Sequence, residues 1–233
     1  MENLKTIWHQ QFDSLKTLKV NKCDKITVVF PSSVQKTYNN LEMLDIKNCA
    51  SVEEIFELNS NEKGSKEDAT NLKEITLSEM PKLKNIWSVD PQGILSVHNL
   101  ENVDVEYCGS MEYLFPLSVA ICCSHLKTLW LQWCGNMKEI VAEQKGSVSA
   151  NPKFEFNQLN TLNLCDLPKL KAFYAVNHTL TCPSLRTQFV SGCSKLNLYK
   201  SSITSIHKKL QNGKLHIAEE VPLFIVEKVC IIY

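Results

Sequence analysis

The sequence predicts an α/β repeat solenoid, a horseshoe with a parallel β-sheet on its concave face and loops or short helical turns on its convex face. Three observations predict it. A short apolar template recurs seven times, its spacing is longer than a single strand or helix needs, and the copies themselves repeat as a block of three. Self-similarity with a period of 20–50 residues marks an array of stacked units, each unable to bury its apolar face alone.

The template has the form LxxLxL followed by Cys or a Pro variant, and its copies start at Leu15, Leu41, Leu72, Leu100, Leu126, Leu159 and Leu185. The spacings are 26, 31, 28, 26, 33 and 26 residues. Starts three copies apart are separated by 85, 85, 85 and 87 residues, which points to a duplicated block. The first copy places Leu15, Leu18, Val20, Cys23 and Ile26 at its apolar positions, and the second places Leu41, Leu44, Ile46, Cys49 and Val52 there. The fourth and fifth copies match, through Cys108 and Cys134. The third and sixth carry Met80-Pro81 and Leu167-Pro168, where Pro is expected to end the strand by removing a ladder donor. The seventh is the weakest, with Gln188 at an apolar position.

Each copy then supplies one strand whose alternating side chains point inward and outward. This period with an LxLxxC/N strand is the signature of a leucine-rich repeat. The cysteine falls just after the strand, where a free thiol packs as a small hydrophobe. Tails such as Glu53–Phe56, Lys84–Trp87 and Glu112–Phe115 pair two polar with two apolar residues, and are expected to be short turns dropping back onto the core.

The array is expected to occupy residues 1–200, followed by a degenerate repeat or tail over 201–233. Polar inserts at 59–70 and 143–153 read as surface loops. The chain starts in the tail of a repeat, and neither end carries the polar cap that closes such arrays, so a fragment of a longer protein is expected.

Composition narrows the function. Twenty-five Lys and Arg balance 25 Asp and Glu, and Arg186 is the only arginine, which argues against a phosphate-binding surface and hence against nucleic acid. The most apolar stretch, residues 221–233, is too short and too charged to span a bilayer, and the first twenty residues lack the apolar run of a secretory signal. Ten cysteines without a CxxC pair read as reduced thiols, and a cytoplasmic location follows. No phosphate loop, dinucleotide fingerprint or metalloprotease motif occurs, and the six histidines lack partners at metal-ligand spacing. No catalytic residue, cofactor or metal is expected, and the chain reads as a non-enzyme.

The side chains between the buried ones form the exposed strip, about 29 Å long for seven strands. Along it Lys19 and Asp45 come first, then the acids Glu74 and Asp104. Tyr107, Trp130 and Trp133 follow, and Asn163 and Phe189 come last. These nine are the candidate partner-binding residues, because aromatic side chains gathered on an exposed surface are the types that act as hot spots.

The segment NLKEITLSEMPKLKNIWSVDPQGILSVHNLENVDVEYCGSMEYLFPLSVA, with Lys138–Glu143 and the stretch from Pro222 to Val229, resembles the leucine-rich repeat region of plant intracellular nucleotide-binding disease-resistance proteins of the coiled-coil type. The resemblance implies a recognition module of innate immunity that senses a pathogen effector or a modified host protein. It also implies regulation of a nucleotide-binding domain, which this chain does not contain. A substrate-recognition arm of an F-box-type ubiquitin ligase is the alternative. An extracellular receptor fits less well, lacking a signal and the LxGxIP pattern.

Overall fold

The computed structural model describes residues 6–8, 14–59, 68–143 and 151–196. The tail at 201–233, most of the two inserts and the start of the chain lie outside them. In chain order the strands are β1 (Thr17–Asn21), β2 (Val28–Phe30), β3 (Met43–Lys47), β4 (Glu54–Phe56), β5 (Asp68–Ala69), β6 (Glu74–Ser78), β7 (Asn85–Trp87), β8 (Leu95–Ser96), β9 (Asn102–Glu106), β10 (Thr128–Gln132), β11 (Lys153–Glu155), β12 (Thr161–Cys165), β13 (Thr179–Thr181) and β14 (Thr187–Ser191). A 3-10 helix covers Ser32–Tyr38 and one α-helix, α1, covers Leu117–Cys122.

Seven strands form one sheet in the order β1-β3-β6-β9-β10-β12-β14, every neighbouring pair parallel. Each begins two residues after a template leucine. The second and fourth residues of each central strand are buried, as in Leu44 and Ile46, Ile75 and Leu77, or Leu129 and Leu131. At the two edges these positions are less covered: Leu18 of β1 and Gln188 and Val190 of β14 are half-buried, because an end strand has a neighbour on one side alone, while Val20 of β1 stays buried. The result is a mostly parallel β-sheet with few helices, an α/β arrangement of the leucine-rich repeat kind.

A feature absent from the sequence reading ends each strand. Lys22, Asn48, Glu79, Tyr107, Trp133 and Asp166 all adopt left-handed backbone, with φ between 51° and 57°, and Gly192 takes the same place at 66°. This turns the chain inward while keeping the ladder intact. The N–H of each of the six donates to the last strand residue of the next repeat, from Lys22 to Lys47 O at 3.2 Å through Asp166 to Ser191 O at 2.8 Å. At Gly192 the neighbour is close: a Cβ there would lie 2.9 Å from Asp166 Cα.

The cysteine follows immediately, and its thiol does more than fill space. Sγ of Cys23, Cys49, Cys108, Cys134 and Cys193 each donates to the carbonyl two residues back, at 3.3–3.5 Å. The first four are buried and Cys193 is half-buried. A tight turn closes next, the N–H of the following apolar residue donating to the carbonyl three back, as in Val52 to Cys49 and Leu83 to Met80.

This corrects the expectation for the prolines. β6 ends at Ser78 and β12 at Cys165, three residues before Pro81 and Pro168, so the left-handed residue ends the strand. Pro81 and Pro168 instead occupy the second position of the turn, where their fixed φ is favourable. The repeat tails are corrected too. They form parallel strands, β2-β4-β7, and then single bridges Phe115↔Val141 and Glu139↔Ala172. Consecutive tails lie in line, so their backbone groups satisfy one another although each run is too short to show a period. Small pairs β5-β8 and β11-β13 join the C-terminal ends of the two inserts to the array.

The tails carry the largest core side chains. Phe30, Phe56, Trp87 and Phe115 run as a file with ring centroids 4.9, 6.3 and 6.5 Å apart, and Tyr38 of the 3-10 helix meets Phe30 and Phe56 edge-on.

Left-handed backbone tests the turn directly. A β-branched residue is the poorest choice there, so Glu79→Ile is expected to lower unfolding free energy by about 1 kcal/mol or more. Glu79→Gly is expected to stay within about 0.5 kcal/mol of wild type, relief of strain offsetting added unfolded-state entropy. Urea unfolding of both variants checks this. Equal losses would contradict the role assigned to φ.

Candidate recognition face

Strand register arranges the outward side chains in rows that cross the sheet. One row runs Lys19, Asp45, Thr76, Asp104, Trp130, Asn163 and Phe189, so six of the nine predicted residues share it. Glu74 stands in the row before, between Met43 and Asn102. Tyr107 and Trp133 stand in the left-handed row at the strand ends. Lys19 and Phe189 lie at opposite edges of the sheet, about 29 Å apart. The structure therefore brings together only a central group: Asp104, Tyr107, Trp130, Trp133 and Asn163.

Within that group Tyr107 and Trp133 stack face to face, centroids 4.6 Å apart and planes 8° from parallel. Both remain open to solvent, at 47% and 39%, and Trp130 is 40% exposed. The left-handed conformation is what turns the Tyr107 and Trp133 rings side by side. The sequence reading placed them on adjacent strands but had no signal for their stacking. Gly192 at the equivalent position of the last copy was the one available hint.

Asp104 pairs in register with Trp130 on β10 and Thr76 on β6. Burial first, then Glu106, pushes its carboxyl above the ordinary aspartate value of 3.8, with Lys47 partly offsetting. Glu106 accepts a hydrogen bond from Ser78 Oγ at 2.9 Å. Asp45 is paired with Lys47 at 3.4 Å, and Asn48 Nδ2 donates to Asn21 Oδ1 at 3.2 Å, so the β1-β3 end is internally matched.

A carboxyl with a raised folded-state pKa binds its proton more tightly when folded, so stability falls as pH rises from 3.8 through the raised value. Asp104→Asn escapes that titration. The variant is expected to match wild type in urea unfolding below pH 3.8 and to exceed it at pH 7. A gap of the same size at both pH values would contradict the cause given.

A second pattern borders the face. The residue after each template leucine gives Lys16, Glu42, Lys73, Glu101, Lys127, Asn160 and Arg186, nearly alternating in charge. Glu42 pairs with Lys16 and Lys73, both at 2.9 Å, and Glu101 with Lys127 at 2.7 Å. Lys16, then Lys73, hold the Glu42 carboxyl below the usual range. These pairs are solvent-exposed and fix register more than they stabilise. The alternation is visible in the sequence at the position after each template leucine.

Among the described residues no cluster of three or more His, Cys, Asp or Glu is placed to hold a metal, and no helix is long and apolar enough to cross a membrane.

A parallel ladder of seven LxxLxL strands, each closed by the same left-handed turn, defines a leucine-rich repeat domain. Residues 1–135 match the family described as "Plant disease resistance protein RPS2-like, leucine-rich repeats", and the chain belongs to that family. It is also 24% identical over 189 residues to a protein of Arabidopsis thaliana named "Putative disease resistance protein At4g19050". That alignment covers 78% of this chain and 14% of the relative, so the chain corresponds to a small part of its length. No solved structure matches the chain.

Proposed function

We propose that the outward face of the seven-stranded sheet is the concave, partner-gripping side of a horseshoe, and that it recognises a protein in plant innate immunity. Curvature follows from unequal spacing. Paired strands sit about 4.8 Å apart, whereas the 3-10 helix and α1 on the other side need more room. The partner is a pathogen effector or a host protein that an effector modifies, met in the cytoplasm. Its engagement regulates a nucleotide-binding domain carried elsewhere on the same or another chain. The module binds and does not catalyse.

The observation that carries this reading is the exposed aromatic group. Tyr107, Trp130 and Trp133 together offer rings to solvent near the centre of a face whose other side chains are mostly polar, and large exposed aromatics at the centre of a surface are the residues that dominate protein binding. Capture from plant tissue with wild type beside the Trp130→Ala/Trp133→Ala variant tests it. Partners retained by wild type are expected to be lost from the variant. Equal recovery would overturn the face.

A further inference from the structure

Resting on that reading, we infer that the partner meets this face with an extended segment carrying arginine or lysine, each cation lying between an exposed ring and a carboxylate. Charge and geometry both favour a cationic partner here. The outward positions of β6, β9, β10 and β12, with the left-handed residue after each strand, hold Glu74, Glu79, Asp104, Glu106 and Asp166 and not one Lys or Arg. In a chain of zero formal charge, that is a local excess of five negative groups. The cation that faces them from the neighbouring strand is Lys47, which sits beyond Ser78 in the row of Glu106 and is paired with Asp45.

Carboxylates alone would be a solvated surface. Here they are interleaved with the rings at single steps of the lattice. Asp104 is the cross-strand partner of Trp130, and Glu79 is the neighbour of Tyr107 in the left-handed row. Glu79 and Tyr107, with Asn48, Ala50 and Pro81, also line an open depression of about 590 Å³ that admits a long side chain. Neighbouring strands are about 4.8 Å apart and alternate residues of one strand about 7 Å apart, so a guanidinium flat on an indole reaches a carboxylate with its edge. Among the described residues Asp104 accepts no side-chain hydrogen bond and forms no ion pair, unlike Asp45, which is paired with Lys47, so its carboxylate has acceptor capacity to offer a partner. An anionic partner such as nucleic acid or an acidic lipid surface meets repulsion here.

The test uses the whole chain and two fluorescein-labelled peptides of alternating glycine and arginine, or glycine and the uncharged isostere citrulline, followed by anisotropy. The arginine peptide is expected to bind at least tenfold more tightly than the citrulline one. Asp104→Asn/Glu106→Gln and Trp130→Ala are each expected to erase that preference. Glu53→Gln/Glu112→Gln, which removes two exposed acids from the repeat tails, is expected to leave it unchanged. Equal binding of the two peptides, or an equal loss in the tail variant, overturns the inference. So does self-association of the chain abolished by Trp130→Ala, which would assign the face to a second copy. A captured plant partner that depends on Trp130 and Trp133 but ignores Asp104→Asn/Glu106→Gln would sink the cationic partner and leave the face standing. One that ignores the tryptophans would sink the face itself.

Discussion

Phe56→Ala is expected to lower the unfolding free energy by about 3–5 kcal/mol, the range for emptying a buried aromatic site. Phe56 is 1% exposed, stacks on Phe30 at 4.9 Å and Trp87 at 6.3 Å, and takes the edge of Tyr38 at 5.3 Å. Three side chains, Phe30 and Tyr38 of the first repeat and Trp87 of the third, lose a contact at once. In an array whose stability is a sum of units and nearest-neighbour interfaces, the loss falls at the joint between the second copy and its two neighbours. The melt is therefore expected to broaden as well as shift, because the N-terminal copies come loose from the rest. Val176→Ala, at a 43% exposed site, is expected to stay within about 0.5 kcal/mol. Calorimetry of both variants decides it. A Phe56→Ala loss under 1 kcal/mol would mean that the aromatic file does not join the repeats.

Trp130→Ala with Trp133→Ala is expected to weaken partner binding by two orders of magnitude or more while leaving the fold intact. Each exposed indole buried by a partner is worth on the order of 2 kcal/mol, about thirtyfold, and the two lie close in the chain, Trp130 in the middle of β10 and Trp133 at the left-handed turn that follows it. The cost to stability is small by comparison. Trp133 loses its stack on Tyr107, worth about 0.5–1.5 kcal/mol, whereas Trp130 stacks on no ring among the described residues and is 40% exposed. Affinity and stability thus separate in this variant, in contrast to Phe56→Ala, where stability falls without any change on the outward face. Titration of a captured partner against folded variant, checked by circular dichroism, makes the measurement. A binding loss that merely follows a loss of structure would remove the argument for a recognition surface.

How much of this was legible in the sequence differs by scale. Alternation such as Leu129, Leu131 against Thr128, Trp130, Gln132 fixes a strand and its faces, because one face is buried and a slip of one residue would invert it. All seven strands, and the central position of Asp104 and Trp130, follow from that. The left-handed row was hidden because Lys22, Asn48, Glu79, Tyr107, Trp133 and Asp166 share no side-chain chemistry. What they share is a backbone conformation enforced by the next strand's carbonyl. The back strands were hidden by length: three residues such as Val28–Phe30 show no period, and their pairing exists only once the main sheet has aligned the repeats. The prolines misled for a related reason, since a residue that removes a donor matters little where the donor already points into a turn.

Hydroxyl-radical footprinting of the chain alone and with its captured partner tests the central claim most directly. Tyr107, Trp130 and Trp133 are expected to lose reactivity together on binding, while Val89 and Val176, exposed outside the seven strands, keep theirs. Protection of Val89 and Val176 with the three rings still reactive would place the partner elsewhere and contradict it.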